Sequence, residues 1–170
     1  ITGGEPLVAK RTRELLRRFD VDRYPDGGIV ITTNGLLLGR SMIRDIRRSR
    51  LLRIIVSLNA ASAPTYRHVT GVDGFDKVLG NLRHLMDELP SFSLRPDVVM
   101  SFVIMASTYR EIPDFLDIAA GLRTGVQLLP MVGTMNDESL FTSPEGLHAL
   151  DEMLKERVLP RAASWPAPFR

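Results

Sequence analysis

The sequence contains no cysteine. These residues therefore offer no disulfide, no thiolate metal ligand and no cysteine nucleophile. Histidine is scarce too: His68, His84 and His148 lie far apart and share no ligand-like spacing. His84 and His148 fall in helical patterns, where a surface or packing role fits better than metal ligation. No apolar run approaches the roughly 20 residues that a membrane-spanning helix needs. The start lacks the basic and apolar segments of a signal peptide. The expectation is a cytoplasmic protein without a membrane partner. A net charge of +2 gives little support to a nucleic-acid partner. The chain also begins without methionine, inside an apparent strand end, and so reads as a piece of something longer.

The remaining composition is that of an ordinary globular protein. At 170 residues, 44% hydrophobic and 25% charged, the chain suits one domain with room for a real core. Positive charge gathers early, in Arg40, Arg44, Arg47, Arg48, Arg50 and Arg53, whereas the rest of the chain is net acidic. A solvated helix face accounts for that cluster; an RNA, phosphate or subunit contact is the competing reading.

The least ordinary stretch is Ile1-Thr2-Gly3-Gly4-Glu5-Pro6-Leu7. Paired glycines permit positive φ and close backbone approach to a ligand. A proline that opens a helix has no N–H to leave unpaired. The physical expectation is a strand end, a tight turn with one fixed carboxylate, and a helix start at Pro6. Taken alone, a plain strand-to-helix turn explains it as well as a ligand site does.

Further along, short buried runs alternate with helical patterns. Val8, Thr12, Leu15, Leu16 and Phe19 recur at helical spacing. Strand-like runs cover residues 28–33, 52–58, 97–105 and 125–130. Leu38, Met42, Ile43 and Ile46 mark the second helix, and Phe75 to Leu89 a strongly amphipathic one. Residues 59–74 read as a loop. A helix is expected over 111–122, and another from Ser143, an N-cap serine followed by proline, with Leu147, Leu150, Met153 and Leu154 inward. The stretch Met131 to Thr142 is a long loop of the kind that often carries function. The chain accordingly divides into a core over 1–159 and an extended tail or linker over 160–170.

Alternation without a surviving hairpin signal predicts an α/β fold with parallel strands. The candidates are a partial (β/α) barrel, TIM-barrel-like, or an open doubly wound sheet. Both place ligands at the C-terminal ends of the strands. Polar and glycine residues recur there: Gly3-Gly4-Glu5, Thr33-Asn34-Gly35, Ser57 and Asn59, and Ser107-Thr108.

In that order these motifs resemble the radical SAM superfamily. The resemblance rests on Gly3-Gly4-Glu5-Pro6, Thr33-Asn34-Gly35 and Val56-Ser57-Leu58-Asn59. It extends through Thr65-Tyr66-Arg67, Gly74-Phe75-Asp76-Lys77-Val78, Asn81-Leu82 and the run from Val98 to Pro113, covering roughly residues 1–130. The resemblance implies a partial (β/α) barrel whose first strand is absent here. It implies S-adenosylmethionine (SAM) and a 4Fe–4S cluster as cofactors, with the cluster's cysteines outside this chain. Reductive cleavage of SAM would give a 5′-deoxyadenosyl radical, with a reductant such as flavodoxin or ferredoxin as partner. By the same resemblance Gly3, Gly4 and Glu5 would meet the methionine ammonium, and Pro6 would belong to the same cofactor-binding turn. Thr33, Asn34, Ser57 and Asn59 would line the strand-end site, and Arg67 would face the carboxylate. No residue is assigned a catalytic role or a metal. The chain alone is expected not to cleave SAM. A degenerate, non-catalytic binding barrel and a phosphate-binding barrel are the alternatives.

Overall fold

The computed structural model describes residues 4–19, 22, 24, 26–131 and 138–165. Four strands and seven α-helices alternate along them: α1 (Lys10–Arg18), β1 (Ile29–Thr33), α2 (Arg40–Ile46), β2 (Leu51–Ser57), α3 (Ala63–Thr70) and α4 (Phe75–Glu88). Next come β3 (Asp97–Ile104), α5 (Ile112–Leu122), β4 (Gly125–Pro130), α6 (Pro144–Met153) and α7 (Leu159–Ala162). The strands form one sheet in the order β1-β2-β3-β4. Sequence order equals spatial order, as expected when each parallel strand is followed by a helical crossover. The fold is an α/β partial barrel. The open doubly wound alternative would require the strand order to reverse.

The chain divides into two compact units, and the division passes through β3 between Met100 and Ser101. The first contains residues 1–58 and 74–100, the second residues 59–73 and 101–170. In the first unit β1 and β2 pair in parallel, with Ile31 opposite Ile54 and Thr33 opposite Val56. The ladder is irregular at its start: Ile29 faces Leu51 but Val30 faces Arg53, so Leu52 is an inserted residue. Such a bulge shifts the alternation of the bulged strand by one. Leu51, Ile54 and Val56 are consequently all buried, while Leu52 and Arg53 are exposed. Helix α2 packs against α1 and α4. The stripe of α4 is as expected: Phe75, Val78, Leu79, Leu82 and Leu85 are buried.

In the second unit α5 contributes Ile112, Phe115, Leu116, Ala119 and Ala120 to the core. Phe115 meets Phe102 of β3 at a ring separation of 4.9 Å, a tilted geometry favoured by the ring quadrupoles. Ser143 caps α6 by accepting from the Gly146 amide at 3.0 Å.

Several expectations are corrected. The first helix begins at Lys10, not at Pro6. Pro6 sits inside a turn in which the Val8 amide donates to the Glu5 carbonyl at 3.2 Å, where its fixed φ suits the second turn position. The expected face of α1 is also displaced, since Val8 and Leu15 are exposed and Leu7 and Leu16 are buried. The loop expected over 59–74 contains α3, capped by the Ser62 hydroxyl and ended by Gly71 at φ 70°. The tail expected from Pro160 is not extended over its described part. One π-type turn (Leu154–Val158) joins α6 to α7, and Trp165 is buried with its Nε1–H donating to Asp117 at 2.8 Å. On α6, Leu147 faces solvent, contrary to its expected inward position.

Candidate functional site

Glu5 organises the strand-end region of the first unit. Its Oε1 accepts from the Leu7 amide at 3.0 Å and from the Thr33 hydroxyl at 2.8 Å. Its Oε2 accepts from the Asn34 amide at 2.7 Å. One carboxylate thus ties the turn before α1 to the end of β1, which lies 28 residues away. An ionised carboxylate offers about four acceptor positions. Among the described residues three are filled, two on Oε1 and one on Oε2. Gly4, immediately before, adopts φ 58° and is exposed. A side chain is disfavoured in this left-handed region.

The next loop is tied from both sides. The Thr33 hydroxyl, besides donating to Glu5, accepts from the Gly35 amide at 3.1 Å. Thr33 is buried, so it positions Glu5 and is not itself presented to a ligand. Asn34 Oδ1 accepts from the Leu36 amide at 3.0 Å. Gly35 adopts φ 77°, and a β-carbon there would lie 2.9 Å from Val56 Cγ1 and 3.0 Å from Val78 Cγ1. Asn81 of α4 closes the arrangement by donating from Nδ2 to the Gly35 carbonyl at 2.8 Å. The Asn-Gly pair is therefore a strand-to-helix loop, as expected, and not a hairpin.

Ser57 ends β2, half-buried. Pro6 is buried within its turn and shapes the backbone. Gly3 lies outside the described residues, as does residue range 132–137 of the long loop.

In the second unit Asn59 adopts φ 56°, a conformation that asparagine tolerates better than most residues. Its Oδ1 accepts from the Val103 amide of β3 at 2.9 Å, so the residue shortly after β2 is fixed to a neighbouring strand. Glu111 fixes the segment from Ala61 to Thr65. It accepts from the Ala61 amide at 2.6 Å, the Ser62 hydroxyl at 2.7 Å and the Thr65 hydroxyl at 2.6 Å. Sequence reasoning overlooked Glu111 in this role, because its partners lie 46 to 50 residues away and leave no local pattern. Arg67 points elsewhere than expected: its guanidinium pairs with Asp73, and both side chains are exposed. Among the described residues no group of His, Cys, Asp or Glu is arranged to hold a metal ion. No helix among them is long and apolar enough to cross a membrane.

The chain is 29% identical over 157 residues to a probable GTP 3′,8-cyclase of Saccharolobus islandicus, a match covering 92% of this chain and 48% of that protein. A probable GTP 3′,8-cyclase of Thermoplasma volcanium is 28% identical over the same length, with 46% of it covered. In structure the chain is similar to Streptococcus suis SuiB, also solved bound to S-adenosylmethionine. The TM-score is 0.65 at 17% identity, over 94% of this chain and 36% of that one. These likenesses support the resemblance to the radical SAM superfamily. No family model matches the chain. It spans about half the length of the curated relatives it matches. The match to the Saccharolobus islandicus protein spans 157 residues, more than the stretch over which the motifs run. The SuiB likeness establishes the partial barrel.

Proposed function

We propose that this chain is the SAM-binding part of a radical SAM enzyme, one that cleaves SAM reductively at a 4Fe–4S cluster to make a 5′-deoxyadenosyl radical. The cluster's ligands lie outside this chain, and a reductant such as flavodoxin or ferredoxin supplies the electron. The observation that carries the reading is the Glu5 clamp: a fixed carboxylate on a positive-φ glycine turn, joined by three hydrogen bonds to its own turn and to the end of β1.

That turn fits the amino-acid end of SAM. Among the described residues Glu5 Oε2 accepts a single bond, which leaves it acceptor capacity for an ammonium, and the exposed Gly4 turn admits close approach. Gly3, Gly4 and Glu5 would hold the ammonium, with Pro6 setting the turn and Thr33 orienting the carboxylate. Asn34 would offer its amide group, and Ser57 and Asn59 would meet the ribose or carboxylate end. Arg67 would need to leave Asp73 to reach a carboxylate, and of these residues it has the least support. The chemistry that bound SAM supplies is release of a 5′-deoxyadenosyl radical upon one-electron reduction. The cluster itself does not fit these residues: with no cysteine in the sequence, there is no thiolate to ligate it. The chain's own part is to bind and orient.

A thermal-shift titration tests this. A ligand that binds only the folded state raises Tm, so SAM is expected to raise the Tm of the chain and to fail with Glu5→Ala. A phosphorylated sugar is expected to have no effect. A shift with the sugar and none with SAM would replace this reading with the phosphate-binding barrel. Formation of 5′-deoxyadenosine by the pure chain under reducing conditions would refute the expectation that it is inactive alone.

A further inference from the structure

A groove of about 360 Å³ opens within the first unit, lined by Arg40, Ile43, Arg44, Arg47, His84 and Glu88. Its electrostatics differ from the rest of the basic segment. Arg40, Arg44 and Arg47 are spaced four and three residues apart, which brings them to one side of a helical turn series. Their neighbours are already matched: Arg17 with Asp45 at 2.5 Å, Arg48 with Asp22 at 2.9 Å and Arg53 with Asp97 at 2.8 Å. Arg50 donates to the Gly27 carbonyl. Among the described residues, no such ion pair involves Arg40, Arg44 or Arg47. Glu88, the acid in the lining, accepts from the Ser91 hydroxyl at 3.2 Å. Three guanidinium groups therefore face one carboxylate over an apolar floor formed by the buried Ile43.

The lining limits the ligand. Guanidinium forks match phosphate oxygens in geometry as well as charge. No Phe, Tyr or Trp lines the groove, and the one ring present is the small imidazole of His84, so it lacks the row of large rings on which successive bases of single-stranded nucleic acid stack. Its volume is that of a small-molecule site. We propose that the groove binds a short polyphosphate chain, whether free or carried by a nucleoside triphosphate. This does not depend on the SAM reading, since none of the lining residues belongs to the strand-end site.

The test is isothermal titration of the 170-residue chain with inorganic triphosphate at low salt. Saturable binding is expected, weakened by about tenfold in Arg44→Glu through the loss of a charge-assisted fork. Arg83→Glu, the same charge change on α4 outside the lining, is expected to bind like the parent. Adenosine triphosphate at equal affinity supports a free polyphosphate, and at higher affinity a nucleotide source. Circular dichroism verifies folding, and Arg44→Gln replaces Arg44→Glu if the latter does not fold. Absence of saturable binding overturns the proposal, as does equal weakening by Arg83→Glu, which would mean diffuse attraction. Tighter binding of a single-stranded RNA without a triphosphate would overturn it in favour of nucleic acid.

Discussion

The Thr33 hydroxyl donates to Glu5 Oε1 at 2.8 Å, and the same hydroxyl accepts from the Gly35 amide at 3.1 Å. One buried threonine thereby couples the carboxylate of the first turn to the geometry of the second. Hydrogen bonds to an ionised group are worth about 1.5–3 kcal/mol each when a partner would otherwise stay unpaired. Because Glu5 is half-buried and water reaches part of the vacancy, Glu5→Ala is expected to cost roughly 2–3 kcal/mol in total. Glu5→Gln keeps one acceptor oxygen but opposes its amide to one of the three donors, and should fall between. Urea unfolding measures both. A Glu5→Ala variant as stable as the parent would show that the clamp contributes nothing to the fold.

Gly35 provides a steric prediction. Alanine there would carry a β-carbon at φ 77° into the two valine methyls, at 2.9 and 3.0 Å. Left-handed backbone and overpacking together suggest a loss of about 2–4 kcal/mol. Asn81→Ala, which removes only the bond to the loop carbonyl, should cost about 1 kcal/mol. If Gly35→Ala proved the milder of the two, the crowding at Val56 and Val78 would not be what selects glycine.

Glu111 holds the loop after β2 by three bonds, and hydrogen exchange reads this directly. Glu111→Ala is expected to accelerate exchange at the Ala61 and Thr65 amides by at least about tenfold, as local opening becomes easier. Amides in α6 should be unaffected. Unchanged exchange at Ala61 would assign the order of that loop to Asn59 and its bond to Val103 alone.

Tyr66 gives a pH prediction. Burial pushes its hydroxyl above the ordinary value of 10.0, because the phenolate is penalised by desolvation. The folded state therefore holds its proton where the unfolded state has released it. Stability from this group is complete below about pH 10 and is lost as pH rises toward the folded value. Tyr66→Phe should flatten the alkaline limb of the stability profile, with Tyr24 and Tyr109 left in place. A profile identical to the parent's would exclude Tyr66 as the source.

The four strands were legible to within a residue because β-branched and apolar runs of five to eight residues, bounded by turn residues, have few other uses. Helix faces were less legible. Leu15 and Leu147 fit a helical stripe and yet face solvent, since spacing marks a face without saying how wide the covering surface is. Helix α3 escaped because among its residues only Tyr66 is buried, so it shows no stripe, although Ser62, Pro64 and Gly71 were all readable as its boundaries. At the candidate site, Glu5, Asn34 and Asn59 lie in turns with distinctive composition and could be singled out locally. Glu111 could not, as nothing near it in the chain indicates the loop it serves.

The extra residue at Leu52 bears on how β2 is read as a string. Strict alternation from Leu51 would place Arg53, Ile55 and Ser57 in the same phase as that buried leucine. The insertion resets the phase, so Ile54 and Val56 join Leu51 in the interior, and the arginine and the serine are left out of it. Without Leu52 the remaining string already alternates, Leu51, Ile54 and Val56 inward against Arg53, Ile55 and Ser57. A deletion at position 52 would therefore straighten the ladder and keep every side chain up to Ser57 on its own face, whereas a deletion at Ile54 would turn the rest of the strand over.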